Sequence, residues 1–325
     1  MHYVRLGRSS LKVSRIGLGA MGLGDPGWRS WVLAEDEARP VIARAVEAGI
    51  NFFDTCDFYS LGASERVLGK VLGEVATREE VVIATKVGNP MGAGANGRGF
   101  SRKHIIEACE ASLRRLGTDY IDLYQTHIWD GETDIEEMIA AFDHLVRSGK
   151  VLYVGATDMP AWQMAKCVYT ARLTGLHAFV AMQHHYNLVW REDEREMIPL
   201  CRAEGIGLLP YSPLARGFLP AAPDLFDRDT ERARTDDYAR LWYGREEDAQ
   251  VAHAVAAVAE RRGVRPSDVA LAWVLARCPE AAPIIGATTV EHVDSAVAAL
   301  DVTLDGEELA ELEAPYRWRA SGGHS

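Results

Sequence analysis

From residue 16 to residue 300 the sequence alternates short apolar runs with stretches of helical periodicity, and that alternation confines the chain to a parallel α/β fold. The runs lie at 16–20, 50–54, 81–86, 121–125, 152–155, 179–183, 207–211 and 283–286. Most are unbroken rather than alternating, as strands covered on both faces require. Between them, 133–148 sets Ile135, Met138, Ile139, Phe142, Leu145 and Val146 on one helical face, with Thr133 and Glu136 spaced as a capping box. Residues 101–116 begin on a plausible N-cap, Ser101, and stop at Gly117. Helices are also expected at 161–174, 192–204 and 249–262, and from Pro266 through 276. The 36–48 pattern is weaker, because Pro40 must sit in a first turn or kink the helix.

Eight strands alternating with helices form either a closed barrel or a doubly wound open sheet. Residues 3–13 read as a hairpin around Arg8-Ser9-Ser10 that could plug one end of a barrel. No repeat or linker divides the chain, so residues 1–325 read as a single domain. The longest irregular stretch, 213–246, follows the seventh strand and contains Gly217, Pro220 and Pro223. A loop of that length is often a lid over a site; a plain surface excursion is the alternative.

One motif misleads. Residues 17–22 spell Gly-Leu-Gly-Ala-Met-Gly, a match to GxGxxG just after a strand. A dinucleotide fingerprint needs a helix to begin inside the motif, so that its amides face the pyrophosphate. Here Gly24-Asp25-Pro26-Gly27 follows, helical pattern returns only near Glu35, and Asp54 comes too late to hold a ribose. These glycines read as a flexible first strand-to-helix loop.

The net charge of −12 argues against nucleic acid or an anionic membrane as the main partner. A phosphorylated small molecule needs only a local basic pocket. Six lysines are present and none lies beyond Lys166, which leaves Lys86 among few candidates for lysine chemistry. Cys56, Cys109, Cys167, Cys201 and Cys278 are scattered without metal-ligand spacing and read as reduced thiols. The opening residues lack an apolar signal core and no run has the length of a membrane span, so a cytoplasmic location without membrane contact is expected.

In a parallel barrel, functional groups gather where the strands end. Asp54 ends the second strand, Lys86 ends the third, His127 follows the fourth, and Tyr59 lies on the loop beyond Asp54. A phenol is a poor acid at neutral pH; an adjacent ammonium lowers its pKa, a carboxylate keeps that ammonium charged, and an imidazole can polarise a carbonyl. Each residue also has a bland reading: a structural Asp–Lys ion pair, a satisfied core histidine, a packed tyrosine. Spacing alone leaves both open.

At these residues the sequence resembles the aldo-keto reductase family. Residues 51–69, NFFDTCDFYSLGASERVLG, look like the signature that carries the family's catalytic Asp and Tyr. IATK at 83–86 is similar to the segment with the catalytic Lys, and 112–127, SLRRLGTDYIDLYQTH, resembles the signature ending on the catalytic His. The likeness continues through 182–188, 211–219 and 283–288. It implies a (β/α)8 TIM barrel that reduces an aldehyde or ketone with NADP(H). Tyr59 would be general acid, Lys86 and Asp54 would tune it, and His127 would orient the substrate.

By position, the resemblance also implies cofactor contacts from Thr157, Asp158, Gln183, Tyr211, Ser212, Leu214, Arg216, Gly217, Gly286, Thr288 and His292. Asp158 departs from the family's usual amide, and a carboxylate cannot donate as an amide does. Thr289 stands where many relatives place a cation for the 2′-phosphate. NADP(H) is therefore favoured and NAD(H) remains possible. Trp28, Phe58 and Trp129, with Trp31 and Met91, are candidates for the substrate wall. Adjacent His184 and His185 should point apart rather than share a metal, so no metal site is expected. An alternative function is a nicotinamide-binding regulatory subunit with little turnover. The substrate is then a small carbonyl or alcohol, and nothing in the sequence specifies the oligomeric state.

Overall fold

A computed structural model describes residues 1–221 and 234–319. The chain opens with an antiparallel hairpin, β1 (Tyr3–Arg5) and β2 (Lys12–Ser14), with Tyr3 opposite Ser14 and Arg5 opposite Lys12. Eight parallel strands follow: β3 (Gly17–Gly19), β4 (Phe52–Asp54), β5 (Val82–Val87), β6 (Ile121–Thr126), β7 (Val151–Thr157), β8 (Ala181–His185), β9 (Gly207–Tyr211) and β10 (Ile284–Gly286). They close into a barrel in chain order, with β10 pairing β3. Every expected strand is present, and the closed arrangement replaces the open sheet as the answer.

The surrounding helices include α1 (Glu35–Glu47), α2 (Ala63–Val75), α3 (Arg102–Leu116), α4 (Ile135–Arg147), α5 (Ala161–Thr174) and α6 (Met197–Glu204). Ser101 accepts from the His104 amide and Gly117 closes α3 in the left-handed region, as expected. Three helical expectations change. Asp134, not Thr133, caps α4 by accepting from the Glu136 and Glu137 amides, while the Thr133 hydroxyl is turned away, donating to Asp130 and accepting from the Phe100 amide. The 192–204 pattern splits into a tight turn, Glu192–Glu194, and α6. Helix α1 runs through Pro40 in its second turn, where the missing amide removes one bond near the helix start.

The stretch expected to be irregular, 213–246, is partly helical. It contains the turn Ala215–Gly217 and the short helices Phe218–Ala221 and Asp237–Trp242, while 222–233 lies outside the described residues. Asp236 ties it together: its carboxylate accepts from the Ala239 amide and pairs with Arg216 at 2.7 Å.

Strand periodicity then sorts the side chains. Phe53, Ile83, Tyr124, Met182 and Leu208 face outward into the layer under the helices. Their alternates face the barrel interior, where Phe52, Val82, Leu123 and Leu209 form a second apolar cluster. Leu6 and Val13 of the hairpin join it, so the hairpin does plug this end. The approach is close enough to require glycine: a Cβ on Gly207 would fall 2.6 Å from Leu6 Cδ1 and 2.8 Å from the Gly7 nitrogen. At Gly17 a Cβ would fall 2.4 Å from the Phe52 ring. Gly17 and Gly19 of the GxGxxG stretch thus serve packing within β3 rather than a flexible loop, and no helix starts until Glu35.

Candidate active site

Two residues beyond Phe52 on the same inward face stands Asp54, and two beyond Ala84 stands Lys86. The barrel interior turns from apolar to charged within one strand repeat. Lys86 Nζ donates to Asp54 Oδ2 at 2.5 Å and to the Thr55 carbonyl at 2.8 Å. The other oxygen, Asp54 Oδ1, accepts from Gln183 Nε2 at 2.8 Å and from Gln125 Nε2 at 3.3 Å. A buried ion pair persists only when its remaining valences are satisfied, and the two amides do that here. Burial, the largest single influence, pulls the Lys86 ammonium down, but Asp54, with Tyr59 and Cys56, together outweigh it and hold Lys86 above its ordinary value.

After β4 the chain turns sharply. Ser60, Leu61 and Gly62 all take positive φ before α2 begins, which keeps Tyr59 at the barrel mouth. Its ring centroid lies 5.1 Å from Lys86 Nζ and 5.8 Å from that of His127, edge to face. The sequence argument expected the ammonium to lower the phenol's pKa. Lys86 does pull it down, but burial is the larger influence and leaves Tyr59 above its ordinary value.

His127 follows β6, its amide bonded to the Val87 carbonyl. Burial, then the Lys86 charge, pushes the imidazole down to about 3, so it is neutral at any ordinary pH. Its Nδ1 lies 2.6 Å from Asn89 Nδ2 and 3.0 Å from Cys56 Sγ. Cys56, which sequence spacing paired with no base, therefore does touch an imidazole. Burial first, and the Asp57 charge second, hold it as a thiol by raising its pKa well above the ordinary value.

A cavity of about 390 Å³ opens over these groups, with Asp54, Tyr59, His127 and Asn89 on its wall. Trp28 and Phe58 meet edge to face at 6.0 Å on the same wall, which Trp31 also reaches. The Arg29 guanidinium stands there among aromatic faces, 4.6 Å from the Trp28 centroid and 5.4 Å from that of Tyr238.

On the opposite side Tyr211 stacks on His185, which stacks in turn on Trp190, at centroid distances of 5.1 and 4.5 Å. The Tyr211 hydroxyl donates to Asp158 Oδ2 at 3.0 Å. Asp158 has φ +43°, and burial pushes its carboxyl up to about 7 against that hydrogen bond. Thr157, Gln183, Ser212, Arg216, Gly286 and Thr288 complete the lining on this side.

A family model described as the Aldo/keto reductase family matches residues 15–317. The chain belongs to the aldo-keto reductase family. It is 43% identical to a versiconal hemiacetal acetate reductase of Aspergillus parasiticus, across 97% of each chain. It is 39% identical to a putative aryl-alcohol dehydrogenase of Saccharomyces cerevisiae, covering 97% of this chain and 96% of the other. A third relative, an aldo-keto reductase of Alternaria alternata, is 40% identical over 99% and 94%. This aldo-keto reductase is thus an oxidoreductase of carbonyl chemistry, and no described helix is long and apolar enough to cross a membrane.

Not every residue expected at this aldo-keto reductase site lines the cavity. Trp129 stacks on Phe100 at 6.3 Å, and the Met91 amide bonds the Gly97 carbonyl. Leu214 packs on the core, Gly217 turns the chain with φ +94°, and His292 Nδ1 accepts from the Thr288 amide at 3.3 Å. His184 and His185 do point apart, the first to Asp193 and the second to the Tyr243 hydroxyl. Conversely, sequence reasoning passed over Asn89, Gln125, Arg29, Tyr238 and Trp242. Asn89 and Gln125 were findable, since each lies on or just beyond a strand end. Tyr238 and Trp242 were hidden because their helix lay in a segment read as irregular.

Proposed function

We propose that this aldo-keto reductase reduces aromatic or medium-sized aldehydes and ketones with a nicotinamide cofactor, Tyr59 acting as general acid. The observation that carries this reading is the buried Lys86–Asp54 pair under Tyr59, beside a neutral His127, on the wall of one cavity. Tyr59 gives its hydroxyl proton to the carbonyl oxygen. Lys86, held charged by Asp54, stabilises the phenolate that remains. Burial raises the Tyr59 pKa and so weakens it as an acid, which makes the Lys86 charge beside it the group on which proton donation depends. His127 orients the carbonyl.

The cavity's other side suits a flat nicotinamide. Thr157 Oγ1 is buried there without a hydrogen-bond partner among the described residues, and Tyr211 offers a ring already backed by His185. A Cβ at Gly286 would meet nothing within 4 Å, so backbone can approach a bulky ligand. When bound, the nicotinamide supplies the hydride. Thr157, Asp158, Gln183 and Tyr211 would hold its ring end, and Ser212, Arg216 and Thr288 its phosphates, with Leu214, Gly217 and His292 alongside. The resemblance to the family favours NADPH, while Thr289 in place of a cation keeps NADH in contention.

The aromatic wall of Trp28, Trp31 and Phe58 favours an aryl substrate, in keeping with the aryl-alcohol dehydrogenase relative. Tyr59→Phe is expected to lower the turnover of 4-nitrobenzaldehyde by roughly 10²–10⁴-fold while leaving cofactor affinity unchanged. A variant that turns over at the wild-type rate removes Tyr59 from this role. Fluorescence titration with NADPH and NADH side by side decides the cofactor.

A further inference from the structure

The four residues of the proposed tetrad do not account for what holds His127. Its ring could present either nitrogen to the cavity as donor or acceptor, and a neutral imidazole has a single N–H to place. With Nδ1 turned to Asn89 and Cys56, the ring donates to a carbonyl oxygen in the cavity when its proton is on Nε2 and Nδ1 is the acceptor.

The surroundings of Nδ1 favour that arrangement. Asn89 Nδ2, a donor without acceptor capacity, sits 2.6 Å from Nδ1. The second neighbour, Cys56 Sγ, at 3.0 Å from Nδ1, also lies 3.2 Å from Asp57 Oδ1, so the thiol proton has a carboxylate to go to. Cys56 Sγ accepts in addition from the Phe58 amide at 3.4 Å. The Asn89 amide is then the group left to donate to Nδ1. Asn89 lines the cavity with His127, on the loop directly after Lys86, so one β5 end positions both the ammonium and the amide.

We propose that Asn89 is a positioning residue that fixes His127 as its Nε2–H tautomer, so that His127 donates a hydrogen bond to the oxygen of the carbonyl being reduced. This rests on the reductase reading above. Asn89 touches neither reacting atom; it acts through the ring. The lowered basicity of His127 fits, because a ring that stays neutral must commit its one proton to one nitrogen.

The test has two arms. In protein labelled with ¹⁵N-histidine, two-dimensional long-range ¹H–¹⁵N correlation separates the protonated from the bare ring nitrogen. His127, assigned by its disappearance in His127→Gln, should show a protonated Nε2 and a bare Nδ1. Asn89→Asp then keeps the shape but presents an acceptor, which draws the proton to Nδ1 and leaves a lone pair facing the carbonyl oxygen. Its kcat should fall on the order of 10²-fold, as for loss of one donor to a developing oxyanion, with cofactor Kd unchanged. The ¹⁵N pattern of that variant should invert.

A wild-type spectrum with the proton on Nδ1 overturns the proposal, and so does an Asn89→Asp enzyme with wild-type kcat. Nε2–H in the wild type together with no turnover across a carbonyl panel sustains the tautomer and sinks the reductase reading instead. Should Asn89→Asp not fold, the wild-type spectrum alone still decides the tautomer.

Discussion

The two ends of the barrel are built from the same strands and have opposite chemistry. At the end where the strands begin, Phe52, Val82, Leu123 and Leu209 close over Leu6 and Val13 of the hairpin. At the other, inward positions farther along the strands carry Lys86, Gln125 and Gln183, each hydrogen-bonded to Asp54, with Asp54 and Gln183 on the cavity wall. A strand rises about 3.3 Å per residue, so the two regimes are separated by little more than one two-residue repeat. The apolar end needs no partners beyond packing, and each fully buried side chain there contributes roughly 1.5–3 kcal/mol. The polar end is stable only as a satisfied network, since every buried charge must find its partner. One end therefore supplies stability and the other holds groups ready for chemistry.

Substitutions can break that contrast. The largest effect is expected at Lys86→Ala, which leaves Asp54 buried and unpaired. Turnover should fall by roughly 10³-fold or more, and denaturant unfolding should report a loss of about 3–5 kcal/mol. The double variant Lys86→Met with Asp54→Leu should recover much of that stability and none of the turnover. If it recovers turnover, the polar end is structural and the contrast fails.

At the plugged end Leu6→Ala should cost about 2–5 kcal/mol in the same unfolding experiment. Its kcat should remain at the wild-type value, since Leu6 is not on the cavity wall. A matching drop in kcat would show that the two ends are coupled.

The smallest expected effect sharpens the polar end alone. Asp158 has its carboxyl raised from 3.8 to about 7 by burial. Between those values the folded protein holds a proton that the unfolded chain has released, so this residue lowers stability as pH rises through that window. Asp158→Asn removes the effect while keeping an acceptor for the Tyr211 hydroxyl. Its Tm should match the wild type near pH 4 and exceed it by a few degrees above pH 7, by calorimetry across the range. Equal Tm values at every pH would mean that Asp158 titrates like a solvated carboxylate.

Much of this was legible in the sequence because it is periodic. The strand runs, the hairpin around Arg8-Ser9-Ser10 and the rejection of the GxGxxG motif all follow from local pattern, and the family likeness singled out Asp54, Tyr59, Lys86 and His127 for one mouth. Local pattern misled where two adjacent residues compete for one task, as Thr133 and Asp134 did for the α4 cap. It also failed at 213–246, where short helices are held by a distant ion pair, Arg216 with Asp236, rather than by their own periodicity.

What the sequence by itself determined is the order of strands and helices, because periodicity needs no knowledge of distant contacts. The family likeness added the barrel, and runs apolar throughout did not reveal which strand faces turn inward. Only the tertiary structure decided the state of the groups it gathers. Burial raises the Tyr59 phenol despite Lys86, amides from β6 and β8 converge on one oxygen of Asp54, and Asn89 meets His127 across 38 positions of chain. Such outcomes depend on desolvation and on contacts summed over segments far apart in sequence, and no local window of residues contains them.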